Sequence, residues 1–458
     1  MNRRDLLIQA GRGFGALAFT SMLQGAAKPP HQLARAKNVI YLFMHGGVSH
    51  VDTFDPKPEL AKRAGQSISA DVAKGLKTNR IDFTKAPMRP SPWTFQRHGQ
   101  SGMEISELFP NIGSKADEIA LIRSCYGEAF DHAPAIYLRN SGSQFPGHPC
   151  LGSWVVYGLG SESENLPAFV VMTDGATKSG PQAYGSGFLP AVYQGTVFRN
   201  GQVPVLNLAT PQGVSAKAQR ATLDFINEQD SRHLRTRTED SELEARIASY
   251  ELAFRMQSAA PEAVDLTKES EATKKLYGIG EGVTDDFGRK CLLARRLVER
   301  GVRFVQLYSG TNIGEDWDDA HTDLATSHTK MCKKTDGPIA GLLTDLKARG
   351  LLDSTLVVWS SEFGRTPLAE GKNGRDHHPY AFSMWMAGAG IKGGQVLGSS
   401  DDFGLRALEN PYSIHDVNAT ILRFLGLDHT RLTYPYQSRD MRLTDVHGEH
   451  EFTSKLLV

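Results

Sequence analysis

The run Asn38-Val39-Ile40-Tyr41-Leu42-Phe43-Met44, followed at once by His45-Gly46-Gly47, decides how the rest of the chain is read. It is short, almost wholly apolar and ends in glycines, the pattern of a strand covered on both faces that opens into a loop. Ile119-Ala120-Leu121-Ile122, Ala168-Phe169-Val170-Val171-Met172, Val302-Arg303-Phe304-Val305-Gln306-Leu307 and Thr355-Leu356-Val357-Val358-Trp359 have the same character. Helical periodicity lies between them. Phe287 to Arg300 sets Cys291, Leu292, Ala294 and Leu297 on one side and stops at Gly301, and Ile339 to Arg349 repeats the design before Gly350. Helix, glycine and strand in recurring order predict an α/β domain with a mostly parallel central sheet flanked by helices. Ligands of such a sheet gather beyond the carboxyl ends of its strands.

Two stretches depart from this alternation. Residues 215–275, rich in Glu, Arg, Ala, Lys and Gln, are expected to form a long helical insertion and a candidate lid, whereas 56–105 and 175–215 carry the Gly, Pro and Ser of irregular surface structure. No linker divides the 458 residues, so one large domain over 36–450 is expected. The formal charge is zero and no basic cluster interleaves with aromatics, which argues against nucleic acid as a partner. Cys125, Cys150, Cys291 and Cys332 form no CxxC pair, which excludes a zinc ribbon or thioredoxin motif and favours buried free thiols.

At the amino end Arg3-Arg4 precede a mildly apolar stretch from Phe14 to Leu23 and the small residues Gly25-Ala26-Ala27. Residues 1–28 therefore read as a twin-arginine signal peptide, implying an exported, periplasmic or extracytoplasmic protein. No other segment is apolar for the roughly 18 residues a membrane span needs, so any membrane tether would be an uncleaved signal.

Three clusters carry residues suited to chemistry. His45-Gly-Gly-Val-Ser-His50-Val-Asp52-Thr-Phe-Asp55 places imidazoles and carboxylates directly after a buried strand, a set that suits zinc, manganese or iron. In Asp316-Trp-Asp318-Asp319-Ala-His321, Asp318 and His321 are three apart and share a face on a first helical turn. The third cluster is Ser360-Ser361-Glu362-Phe363-Gly364-Arg365-Thr366-Pro367 with Gly374-Arg375-Asp376-His377-His378, beyond the Thr355 strand. A polar loop has little packing reason to gather these groups.

Taken in order, His-Gly-Gly, Trp-Asp-x-x-His, Ser-Glu-Phe-Gly-Arg-Thr-Pro and Gly-Arg-Asp-His, with Ile414-His-Asp-Val-Asn-Ala-Thr-Ile-Leu422 behind them, resemble the DUF1501 family, which is sulfatase-like within the alkaline phosphatase superfamily. The resemblance implies an alkaline phosphatase/sulfatase-like fold and a divalent metal, zinc first, with manganese, calcium or iron as alternatives. The implied ligands are His45, Asp52, Asp318, His321, Glu362, Asp376 and His377. It also exposes departures. His45 stands where the superfamily has an aspartate, Glu362-Phe363 where it has Asp-His or Asp-Asn, and His132-Ala-Pro134-Ala135-Ile136 where sulfatases have Cys/Ser-x-Pro-Ser-Arg. No formylglycine can form at His132, which is left as metal ligand, nucleophile or general acid. Arg365 or Arg375 could clamp an anionic ester. The function implied is an exported metal-dependent hydrolase of phosphate or sulfate esters, borne by small molecules or polysaccharide. The alternative is a binding protein that keeps the fold without catalysis.

Overall fold

The computed structural model describes residues 29–457 apart from 202, 206–207, 209, 211, 235–240 and 311–315. The signal read at 1–28 thus lies outside the described residues. The central sheet has nine strands, here β1 (Asn38–Met44), β2 (Ile119–Tyr126), β3 (Phe169–Met172), β4 (Thr196–Phe198), β5 (Phe304–Ser309), β6 (Thr355–Ser360), β7 (Phe382–Ala387), β8 (Val396–Leu397) and β9 (Tyr412–Ser413). Their order is β8-β2-β7-β6-β1-β5-β3-β4, with β9 also on β2. Every pairing is parallel except those of β7, which runs antiparallel between β6 and β2.

β1 lies at the middle of the sheet and all its residues are buried, because Val39, Tyr41 and Phe43 enter one core while Ile40, Leu42 and Met44 enter the other. The first core is closed by α1 (His132–Ser141), α2 (Leu151–Leu159) and, further along the chain, Ile414–Phe424. The second is closed by α5 (Asp285–Glu299) and α6 (Leu324–Ala348), which follow α3 (Ala216–Leu234) and α4 (Ser241–Val264) in the chain; the Ile414–Phe424 helix is α7. This is the expected sheet covered on both faces.

The differences have physical reasons. α6 starts at Leu324 rather than Ile339, with Asp323 accepting from the Thr326 N–H as its cap, and runs through Pro338. Its first half is polar and its proline would ordinarily begin a helix, so packing of Met331 and Cys332 into the core decides the extension. β7 was not among the strands read from the sequence, since Phe-Ser-Met-Trp-Met-Ala has neither alternation nor β-branching. In the insertion, α4 does not cover the carboxyl edge as a lid. Its Glu262 pairs with Arg296 (3.0 Å) and Arg300 (2.8 Å) at the end of α5 that leads into β5, while Ala248, Leu252 and Arg255 line a cavity with Pro167 and Ala168 at the start of β3. All four cysteines are free and buried. Among the described residues no helix is long and apolar enough to cross a membrane.

Candidate functional site

Loops beyond the carboxyl ends of β1, β2, β3, β5 and β6 converge. His45-Gly46-Gly47 ends β1, and both glycines have positive φ (122° and 87°). A Cβ on Gly46 would stand 2.6 Å from the Asp318 backbone nitrogen, so this position must be glycine for the Asp316–His321 turn to close over it. Asp316 caps that turn by accepting from Asp318 N–H at 2.9 Å. Beyond β6, Gly364–Arg365 pairs antiparallel with His377–His378, which sets Arg365 opposite His377. His132 is the first residue of α1.

One oxygen is shared by this assembly. Asp318 Oδ1 lies 2.9 Å from His132 Nε2, 3.1 Å from His321 Nε2, 3.0 Å from His377 Nε2 and 2.6 Å from Arg365 Nη2. His321 Nε2 and His377 Nε2 are 2.8 Å apart. The other nitrogen of each ring faces an acceptor: His132 Nδ1 is 2.8 Å from Glu362 Oε1, His377 Nδ1 is 2.7 Å from the Phe130 carbonyl, and His321 Nδ1 meets Glu370. At the mouth, Lys178 Nζ stands 2.6 Å from Asp318 Oδ2, 3.0 Å from Asp316 Oδ2 and 3.3 Å from His132 Nε2.

The environments push these groups apart. Burial opposes the charged form of His132, but hydrogen bonds to Asp318 and Glu362 outweigh it and raise its pKa. At His377 burial prevails and lowers the pKa well below the usual value, leaving a neutral ring. Burial also opposes ionisation of Glu362, yet contact with His132 and its charge bring it down to about 2. Asp318 is held far below the carboxylate range, its burial overcome by the three imidazoles and Arg365.

Other residues expected at the site take different places. His45 Nδ1 lies 3.2 Å from the Gly310 carbonyl and its Nε2 accepts from Lys178 N–H at 3.1 Å, so both ring nitrogens are spent on backbone. Asp52 is not brought to the cluster. It pairs with Arg375 through Oδ2–Nε at 2.7 Å, with both side chains fully buried, and accepts from Ser49 Oγ at 2.5 Å. Arg375 also donates to the Thr366 carbonyl at 3.0 Å and the Arg89 carbonyl at 3.0 Å, and Arg365 to those of Gly47 (3.1 Å) and Arg375 (3.2 Å), so neither guanidinium is presented to solvent. Glu362 accepts from Gly46 N–H at 2.8 Å and stands behind His132. Asp376 accepts from His377 N–H (2.8 Å), Arg80 N–H (3.0 Å) and Thr78, and remains within reach of His321 and His377. Lys178 and Glu370 were missed by the sequence reading, since a lysine in a Gly/Ser-rich loop and a glutamate between Ala and Gly carry no local signal.

The described residues thus form a mostly parallel α/β sheet with a histidine and carboxylate cluster at its carboxyl edge. The chain belongs to the DUF1501 family, described as proteins of unknown function, whose model matches residues 36–453. No curated protein matches it. Among solved structures it is similar to Ps i-CgsB in complex with k-i-k-neocarrahexaose, at 12% identity over 86% of this chain and 72% of that one, with a TM-score of 0.38. It is also similar to the PsFucS1 sulfatase from Pseudoalteromonas sp., at 14% identity over 90% and 70% of the two chains, TM-score 0.37. A variant of TAB5 alkaline phosphatase with magnesium bound is 11% identical over 87% of this chain and all of that one (100%), TM-score 0.37.

Two expectations concern stability. Asp52→Asn leaves Arg375 buried without a counter-charge and should cost about 3–5 kcal/mol in urea unfolding, with the metal content of the folded protein unchanged. His328 and His378 are fully buried with pKa values pushed down to about 3 by burial, and His50 is lowered by the same cause. The unfolded chain takes up the His328 and His378 protons from about pH 6.5, the folded chain only near 3, so stability present above pH 6.5 is lost as pH falls. At pH 4.5 each group with that full shift should cost on the order of 3 kcal/mol; a urea midpoint that stays flat from pH 7 to 4.5 would contradict this.

Proposed function

We propose that this protein is a metal-dependent hydrolase of phosphate or sulfate esters, carried by small molecules or polysaccharide, with Asp318, His321 and His377 as its metal ligands. His377 carries the reading. A carbonyl can only accept, so the Phe130 oxygen fixes the proton of the neutral ring on Nδ1 and leaves a lone pair on Nε2. That lone pair points at a carboxylate oxygen 3.0 Å away and at a second imidazole nitrogen 2.8 Å away. Arg365 and His132 donate to that oxygen from other sides, but the two imidazole lone pairs face it and each other with no donor between them, and a cation there would relieve the repulsion. The separations also suit ligands of one ion, since four donors at zinc-like distances lie roughly 3.3 Å apart. Imidazoles whose far nitrogens are held by Glu370 and a carbonyl are oriented as metal ligands are. This donor set favours zinc, with manganese or iron compatible, and suits calcium least.

A bound divalent ion would supply Lewis acidity toward the ester and lower the pKa of a water it holds. His132, with carboxylates on both nitrogens, retains a proton at Nε2 that faces the cluster and can pass to a leaving oxygen. Lys178 presents the one ammonium among these groups and is suited to draw in an anionic ester, the part first assigned to Arg365 or Arg375. Glu362 keeps His132 in its charged form. A binding-only protein is the second reading, favoured by the observation that the first residue of α1 is a doubly engaged imidazole rather than a serine or cysteine.

Metal analysis of the purified protein should give close to one ion per chain, falling to a small fraction in His377→Ala; less than about 0.2 per chain, unrestored by zinc or manganese, would reject the reading. Against a panel of aryl phosphates, phosphodiesters and sulfates, Lys178→Ala should raise KM by roughly tenfold and His132→Ala should lower kcat by about a hundredfold or more. Metal bound without turnover of any of them would leave the binding-only protein. We also propose export through the twin-arginine route. Replacing both Arg3 and Arg4 by lysine should retain a fused reporter in the cytoplasm, and unchanged export would refute it.

A further inference from the structure

The segment 73–84 and Phe130 enclose a cavity of about 400 Å³, within the roughly 300–1,000 Å³ of small-molecule sites. Leu76, Ile81, Phe83 and Phe130 line it. Leu76 and Phe83 belong to a small apolar core of their own, while Ile81 and Phe130 are only half-buried. The same segments hold the cluster. Phe130 gives its carbonyl to His377 Nδ1 at 2.7 Å, and His132 follows two positions later. Thr78, also in the lining, donates to Asp376, Arg80 N–H donates to that carboxylate at 3.0 Å, and Asn79 Nδ2 donates to Asp131 Oδ1 at 2.5 Å. Two separate stretches of chain thus form a wall common to the cavity and the histidines.

Polar chemistry is scarce in this cavity. The Thr78 hydroxyl is spent on Asp376, Asp82 accepts from Thr84 Oγ1 at 2.7 Å and pairs with Lys85 at 2.9 Å, and Lys77 is exposed. A sugar seated there would leave hydroxyls without partners, whereas an apolar body would shed water favourably. Hydrolysis at the cluster breaks the phosphorus–oxygen or sulfur–oxygen bond, water supplies the new oxygen, and the departing oxygen takes the His132 proton. The departing group must then lie on the His132 side, next to Phe130. We propose that this cavity receives the alcohol half of the ester, and that the alcohol is apolar, of the aryl or compact alkyl type, rather than a sugar. Phe130 and Ile81 are then the residues that set specificity for it. This subsite presupposes the hydrolase activity proposed above and narrows its substrate.

Phenyl and para-tert-butylphenyl esters, as phosphates and as sulfates, provide the test, because their leaving oxygens are nearly equal in basicity and they differ only in apolar bulk. With the metal-loaded full chain, kcat/KM should be about tenfold or more higher for the bulkier ester, and Ile81→Asn should bring the two within about twofold of each other. A general loss of structure would lower both and leave their ratio as it was. Equal kcat/KM for the two esters in the parent protein overturns the subsite and leaves the hydrolase standing, and faster turnover of a sugar phosphate than of either aryl ester does the same. Calorimetric binding of para-tert-butylphenol needs no turnover. It should bind with a Kd on the order of 1 mM or tighter, weakened about tenfold by Ile81→Asn, and absence of binding up to about 3 mM also overturns the subsite. If the phenol binds while no ester is turned over, the hydrolase reading falls and the leaving-group role falls with it.

Discussion

The Oδ1 atom of Asp318 is the point on which the arrangement at the carboxyl edge depends. Within 3.1 Å it meets imidazoles from three separate loops and, at 2.6 Å, a buried guanidinium. An oxygen so surrounded is held ionised, and its negative charge holds the His132 proton and the Arg365 guanidinium against it. The outward nitrogens complete the frame, since Glu362, Glu370 and the Phe130 carbonyl leave the rings little freedom to turn. What faces inward are the acceptors of Asp318, His321 and His377, the His132 proton and the Arg365 guanidinium, the arrangement on which the proposed metal site rests.

Around this point the fold supplies rigidity through buried charge pairs rather than through the loops themselves. Arg375 and Asp52 are spent on each other, and Arg365 on Asp318 and the carbonyls of the His-Gly-Gly turn. Asp174 beyond β3 contacts Lys290 and Lys334 in the interior and accepts from Gly310 N–H at 3.4 Å, where the chain leaves β5 for the Asp318 turn. Each pair is costly to break and gains little over an apolar substitute, which suits positioning better than raw stability. The glycines after β1 serve the same purpose, allowing the backbone of the Asp318 turn to come closer than a side chain would permit.

The amino-acid sequence by itself determined five strands of the sheet, β1, β2, β3, β5 and β6, and the α/β alternation with its helices, but not β7 or the edge strands. Strands buried on both faces need unbroken apolar runs, and those runs with their glycine stops are local properties. It also marked His377, in a polar loop with little packing reason to gather such groups, and Asp318 and His321, three apart on one turn, whereas His132 was singled out only through the family resemblance. It could not rank them against His45, Asp52 and Glu362, because a carboxylate or imidazole has the same composition whether it faces a cavity or a salt bridge. Asp52 and Arg375 are 323 positions apart, and only folding shows that each removes the other from the site. Lys178, Glu370 and the Phe130 carbonyl enter for the same reason, as electrostatic partners are chosen by distance in space. Tertiary structure decided the roles, since the protonation and orientation of a side chain are set by the groups packed around it.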